Sequence, residues 1–198
     1  MRWIGVLPKE IEALKNALAQ RPRETVFIDG FRKAAVLVPL LRSEAGLELL
    51  FTVRSSQLKK HSGEIAFPGG KLDEGETLID AALRETFEEI GLLVQPSSIL
   101  GYLDDRPSPF EYIVTPVLAF IEKPKQVVLN PHEVSEVFNV SVKDLQSIKP
   151  QVEERVIRGQ RRMIYFYPYQ DKLIWGLTGN IVKNVLDILY MLPLVTIK

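Results

Sequence analysis

The stretch Thr77 to Gly91, TLIDAALRETFEEIG, restricts this chain more than any other. Leu78, Ala81, Ala82, Leu83, Phe87 and Ile90 recur at helical spacing, Thr77 is a residue type that caps helix starts, and Gly91 is a stop. The pattern predicts an amphipathic helix with those apolar positions in a core. The same helix carries Glu85, Glu88 and Glu89 at i, i+3 and i+4, so their Cβ atoms are neighbours about 5 to 6 Å apart on one face. Three such carboxylates repel unless water screens them or a cation neutralises them, and glutamates in a run commonly form nothing more than a solvated face. Here Phe87 and Ile90 interrupt the acids with expected core residues, which ties the acidic face to a packed scaffold. A sharp turn, Pro68-Gly69-Gly70, and a further acid, Glu76, precede the helix. A backbone carbonyl of that turn, that of Gly70, could join the carboxylates around a hard cation.

The surrounding chain alternates strand and helix signals. Ile11, Leu14 and Leu18 stand at helical spacing after Pro8, within an N-terminal helical extension over 1–30. Ala34 to Leu41 and Leu47 to Val53 read as two strands joined by a turn, and Ile65-Ala66-Phe67 as a brief strand with Phe67 in the core. Ile99 to Leu103, Tyr112 to Ile121 and Val134 to Val140 read as strands, with Arg106 to Pro109 as an irregular loop. Ser141 caps a short helix, and Val152 to Ile157 and Met163 to Tyr167 flank Arg158-Gly159-Gln160 as a hairpin. The last helix, 176–192, begins after Trp175 and buries Val182, Val185, Leu186 and Leu189. No regular βαβ repeat is present, so the expected architecture is one α/β domain over 1–198, a mixed sheet covered by helices on both faces.

Oxygen-only ligation by Glu85, Glu88 and Glu89 suits Mg²⁺ or Mn²⁺, which typically combine a few carboxylates with water and substrate phosphate. Such a site points to phosphate chemistry. Gly70, five residues, Glu76, seven residues and then Arg84-Glu85-Thr86-Phe87-Glu88-Glu89-Ile90-Gly91-Leu92 resembles the box that defines the Nudix superfamily, over residues 66–92. Thr86 is the one departure, since the general pattern has an aliphatic residue there, and it bears on packing under the helix. The resemblance implies a Nudix-like α/β/α sandwich, dependence on Mg²⁺ or Mn²⁺, and hydrolysis of a nucleotide-containing diphosphate. By the same similarity Glu85 and Glu89 are metal ligands, Glu88 a further ligand or a water-mediated one, and Arg84 the orienter of the glutamates, with Glu76 secondary. The general base stays open among Glu85, Glu88 and the distant Glu133.

A second resemblance lies just upstream. Leu49-Leu50-Phe51-Thr52-Val53-Arg54-Ser55, Lys59, Gly63 and Glu64-Ile65-Ala66-Phe67-Pro68-Gly69-Gly70 are similar to the signature of coenzyme A pyrophosphatases, with Lys59 where arginine is usual, and Ile174 to Thr178 is similar to that subfamily near its C-terminus. This implies cleavage of coenzyme A or its acyl derivatives to 3′,5′-ADP and 4′-phosphopantetheine or acyl-phosphopantetheine. Arg54, Lys59, Lys60 and His61 gather positive charge in one loop, so Arg54, Lys59 and His61 are the expected substrate contacts, suited to the extra 3′-phosphate of coenzyme A. ADP-ribose, NADH or a nucleoside triphosphate is the alternative substrate. A non-catalytic Nudix-like binding module is disfavoured because the chain keeps all three glutamates.

Composition narrows the partners. Lys+Arg and Asp+Glu are both 25, so with no net charge the chain is not expected to adhere to nucleic acid or to anionic membranes. It has no cysteine, which removes thiol nucleophiles and thiolate metal sites and fits the cytoplasm. Arg2, Lys9, Glu10, Glu12 and Lys15 break up the N-terminal region, so no signal-peptide core is expected. The most apolar stretch, 181–195, is interrupted by Lys183, Asn184, Asp187 and Pro193 and falls short of the roughly 20 residues of a spanning helix. Oligomeric state is left open.

Overall fold

Strand β1 (Arg32–Ser43) organises the sheet, and its composition explains why. Ala35, Leu37, Val38, Leu40 and Leu41 are fully buried although they point alternately to opposite faces, so both faces of this strand must be covered. The computed structural model describes residues 9–44, 46–56, 63–157 and 159–190. In it β1 and β2 (Gly46–Arg54) form the expected antiparallel hairpin, with Leu40 opposite Leu49. The other side of β1 pairs in parallel with β7 (Tyr112–Glu122) from Arg32 opposite Tyr112 to Arg42 opposite Glu122. This long-range parallel pair makes the sheet mixed.

The remaining strands fill in around that trio. β2 also pairs with β3 (Ile65–Ala66) and β8 (Val134–Ser141), while β5 (Ile99–Tyr102) and β6 (Arg106–Pro107) pair with β7. The first half of β1, which β2 leaves uncovered, pairs with β4 (Gly69–Lys71), placing Gly70 opposite Ala35. One face of the sheet is covered by α2 (Leu78–Ile90), whose Ala81 and Ala82 pack with Ala35, Leu37, Val117 and Ala119. The other face is covered by α1 (Lys9–Gln20) and α4 (Gly176–Tyr190), with Ile11, Leu14, Leu18, Val182, Val185 and Leu189 against Val38, Leu40 and Leu118. The architecture is therefore an α/β/α sandwich. Short α3 (Val142–Ser147) is capped by Ser141, whose Oγ accepts from the Asp144 N–H at 2.9 Å. Among the described residues no helix is long and apolar enough to cross a membrane.

A second, three-stranded sheet consists of β9 (Gln151–Ile157), β10 (Gln160–Tyr169) and β11 (Lys172–Ile174). The β9–β10 hairpin matches the sequence expectation. Three features do not. The segment taken as loop at Arg106 to Pro109 contains β6, and β4 and β11 are additional strands of three residues, too short to show periodicity. Phe87, expected in the core, is 55% exposed, because α2 is rolled to bring Ala82, Thr86 and Glu89 inward. The last helix is described only to Tyr190, and 191–192 lie outside the described residues.

α4 meets β10 with no spare room at Gly179, where a Cβ would lie 2.3 Å from the Tyr165 carbonyl oxygen. In an unconstrained helix Gly→Ala is favourable by about 1 kcal/mol. At this contact the sign should reverse: Gly179→Ala is expected to cost about 1 to 3 kcal/mol through overpacking, read as a lower Tm in thermal melts. A melting temperature unchanged or raised would show that β10 and α4 are free to separate.

Candidate metal centre

α2 is held at both ends by local chemistry. Thr77 Oγ1 accepts from the Asp80 N–H and Asp80 Oδ2 accepts from the Thr77 N–H, both at 3.2 Å, a reciprocal capping box. At the other end Gly91 takes a left-handed conformation and donates to the Phe87 carbonyl at 2.8 Å. Between these ends Thr86 is fully buried and its hydroxyl donates to the Ala82 carbonyl at 2.7 Å. The threonine that replaces an aliphatic residue thus faces the sheet with its polar atom satisfied inside the helix.

The Gly-Gly turn packs against β1 at its first glycine and against α2 at its second. A Cβ on Gly69 would lie 2.3 Å from the Ala35 carbonyl oxygen, and one on Gly70 would lie 2.5 Å from the carboxylate carbon of Glu85. Glu89 is 4% exposed, and its Oε2 accepts from the Gly69 N–H at 3.2 Å. Burial pushes its carboxyl up to about 8, while the Gly69 N–H and the positive charge of Arg54 oppose the rise and Glu85 and Glu133 add to it. Burial also raises Glu85, against the pull of Arg84. These acids are not a solvated face.

Carboxylate oxygens of Glu85, Glu89 and Glu133 all lie within 4.8 Å of one another. Glu133 reaches the cluster from the turn before β8, and that turn is fastened on both sides. The Asn130 N–H donates to the Glu89 carbonyl at 2.9 Å, Asn130 Nδ2 donates to Glu133 Oε1 at 3.2 Å, and the Ser55 N–H donates to the Glu133 carbonyl at 2.8 Å. Sequence reasoning held Glu133 open only as a base. Its place in this trio depends on pairing between β2 and β8, and no local motif marks it.

Glu88 stands outside the trio. Its carboxylate is half-exposed and accepts from Arg84 Nη1 at 3.1 Å. Arg84 binds Glu76 with two donors, Nε at 2.7 Å and Nη2 at 2.9 Å, and also reaches Glu85 Oε1 at 3.0 Å and the Lys71 carbonyl at 3.2 Å. Its planar fork therefore hydrogen-bonds three carboxylates and the strand β4, with Asp73 a further 3.7 Å ion-pair partner. The Arg84 guanidinium, helped by the Asp73 N–H, holds Glu76 down at about 2. Arg54, at the end of β2, is close enough to act electrostatically on Glu89, and its Nε is buried without a hydrogen-bond partner among the described residues. Lys59, Lys60 and His61 lie outside the described residues.

An acid whose pKa is raised by folding contributes stability that is present below its unfolded value, 4.5, and is lost as pH rises through about 8. Metal-free protein should therefore lose stability across that window through Glu89. Glu89→Gln is expected to melt above wild type in chelator at pH values above 8, with the gap closing towards pH 4.5. A difference that does not change with pH would exclude an ionising, desolvated Glu89.

Residues 31–161 match the family model described as the NUDIX domain. An uncharacterized Nudix hydrolase, NudL, of Photorhabdus laumondii is 38% identical over 159 residues, covering 79% of this chain and 84% of that protein. Nudix hydrolase 3 of Caenorhabditis elegans is 31% identical over 212 residues, covering 95% of this chain and 87% of that protein. In three dimensions the chain is similar to a MutT/nudix family protein from Enterococcus faecalis, with a TM-score of 0.57 at 18% identity, over 93% of this chain and 76% of that one.

Proposed function

Because the chain belongs to the Nudix hydrolase family, we propose that it is a metal-dependent pyrophosphatase that cleaves coenzyme A or its acyl derivatives within the diphosphate, releasing 3′,5′-ADP and the phosphopantetheine part. The observation that carries the catalytic part is the convergence of Glu85, Glu89 and Glu133 beside the Gly-Gly turn. The donor set fits Mg²⁺ or Mn²⁺: all ligands are oxygens, and the 4.8 Å spread is near the roughly 4.2 Å between trans oxygens of an octahedral Mg²⁺. A bound ion supplies charge neutralisation at the phosphate oxygens and an acidified water as nucleophile. Arg84 keeps Glu85 and Glu88 aimed, with Glu76 as its anchor. Asn130 keeps Glu133 on the cluster by tying its turn to the end of α2. Arg54 stands beside the carboxylates and is placed to bind the diphosphate itself.

The coenzyme A reading rests on the stretches 49–70 and 174–178, and one contact supports treating them as a unit. Thr178 Oγ1, at the start of α4, donates to the Ile65 carbonyl at 2.9 Å, joining the later stretch to the strand that leads into the Gly-Gly turn. Lys59 and His61 remain the groups proposed for the 3′-phosphate.

Two measurements test this. Glu133→Gln and Glu89→Gln should each lower turnover by roughly 10²- to 10³-fold in a protein that still folds by circular dichroism, the scale for losing one preorganised electrostatic group. Near-normal turnover in folded Glu133→Gln, with Glu88→Gln inactive, would move the metal set to Glu88. For the substrate, coenzyme A is compared with its 3′-dephospho form. A charge-assisted phosphate contact is worth about 1.5 to 3 kcal/mol, so kcat/KM should drop roughly 10- to 150-fold without the 3′-phosphate. Lys59→Ala should flatten that preference, whereas Arg54→Ala should weaken both substrates alike. Faster hydrolysis of ADP-ribose or NADH than of coenzyme A would overturn the substrate assignment and leave the metal site standing.

A further inference from the structure

Strand β9 is the exposed edge of the small sheet. Among the described residues its one strand partner is β10, and Val152 and Val156 on it are 41% and 69% exposed. An edge of this kind offers unpaired backbone groups to another strand. Which groups point outward follows from β10. The Met163 carbonyl accepts from Asn180 Nδ2 at 3.0 Å, and the Tyr165 N–H donates to Asn180 Oδ1 at 3.3 Å. These backbone groups therefore face α4 and not β9. In an antiparallel ladder such residues belong to non-hydrogen-bonded pairs, whose members both point their N–H and C=O away from each other. Met163 is opposite Glu154 and Tyr165 is opposite Val152, so Glu154, Val152 and, by alternation, Val156 aim their backbone groups out of the edge that no described strand pairs.

We propose that this edge pairs with β9 of a second copy of the chain, antiparallel and centred on Glu154, to join the two small sheets across a two-fold axis. In that register the outward-facing residues meet one another, Val152 opposite Val156 at both ends and Glu154 opposite Glu154 in the middle, allowing about six backbone hydrogen bonds. Glu153 then faces Arg155 of the second copy, twice by symmetry, at non-hydrogen-bonded positions where side chains come closest. Sliding one copy by two residues would set Glu153 on Glu153 or Arg155 on Arg155. Charge thus selects a single register. Within the chain Glu153 already binds Arg155 at 2.6 Å, so the four groups form one alternating cluster in the dimer. The like-charged Glu154 pair is relieved by Arg161, which lies 3.3 Å from Glu154 on the same chain. Val152, Val156 and the 47% exposed Met163 share one face of the hairpin with Glu154 and Arg161, and the two valines gain apolar cover from one another in the dimer.

Sedimentation velocity on the full chain over a concentration series tests this. Wild type is expected to shift towards a species of twice 22.5 kDa as concentration rises. Arg155→Glu, which turns both ion pairs into repulsions, should stay at the monomer mass. The exchange Glu153→Arg with Arg155→Glu restores opposite charges across the axis and should restore the dimer. Glu154→Pro removes an outward N–H without touching the β9–β10 ladder, and it removes the central repulsion too, so dissociation of this variant can be assigned to the lost backbone bonds. Melting curves confirm that each variant is folded. A wild type that remains monomeric at the highest concentration, a dimer that survives both Arg155→Glu and Glu154→Pro, or a charge exchange that fails to restore association would each overturn the proposal.

Discussion

The close approach of α2 to the Gly69–Gly70 turn is the constraint on which the site depends. A side chain at Gly69 would run into the β1 backbone at Ala35 and Val36, and one at Gly70 would displace the Glu85 carboxylate. With both absent, Glu89 enters the interior and finds a backbone N–H there. The result is an acid held where its charged form is costly. Such a carboxylate is stable in its protonated form or beside a cation, so a cation bound there would displace its proton.

Charge balance around the cluster is built in layers. Arg84 serves the exposed side, bound by two donors to Glu76 and reaching Glu85 and Glu88. Arg54 serves the buried side, next to Glu89. Glu85, Glu89 and Glu133 converge in the space between them, and the two arginines leave them short of full neutralisation. A groove of about 660 Å³ runs along α4 beside the β9–β10 hairpin, lined by residues such as Arg155, Trp175 and Asn180, but no member of the carboxylate cluster lines it.

The two sheets divide the work. The large mixed sheet, covered on both faces, fixes the backbone that carries the site. The small sheet is joined to α4 through Gly179 and Asn180 and places Tyr167 and Ile174 in the main core, while β9 has a strand partner on one side only among the described residues. The carboxylate site is carried by the buried sheet, where close packing leaves little freedom in the backbone, whereas the proposed association uses β9, whose outer side pairs with no strand among the described residues.

By itself the sequence determined the elements whose physics is local. The α2 helix, its Thr77 cap and Gly91 stop, the i, i+3, i+4 acids, the β1–β2 and β9–β10 hairpins and the Ser141 cap follow from periodicity and capping chemistry acting over a few residues. The tertiary structure alone decided the parallel pairing of β1 with β7, the roll of α2 that exposes Phe87 and buries Thr86, and the arrival of Glu133 beside Glu85 and Glu89. Each of these depends on contacts between residues far apart in the chain, where no spacing rule operates. Glu88 and Glu133 show the difference best. The first is a neighbour of Glu85 in sequence yet turns to Arg84 at the surface, while the second is distant in sequence and is delivered to the cluster because β8 pairs with β2 and the Asn130 turn is tied to the end of the helix.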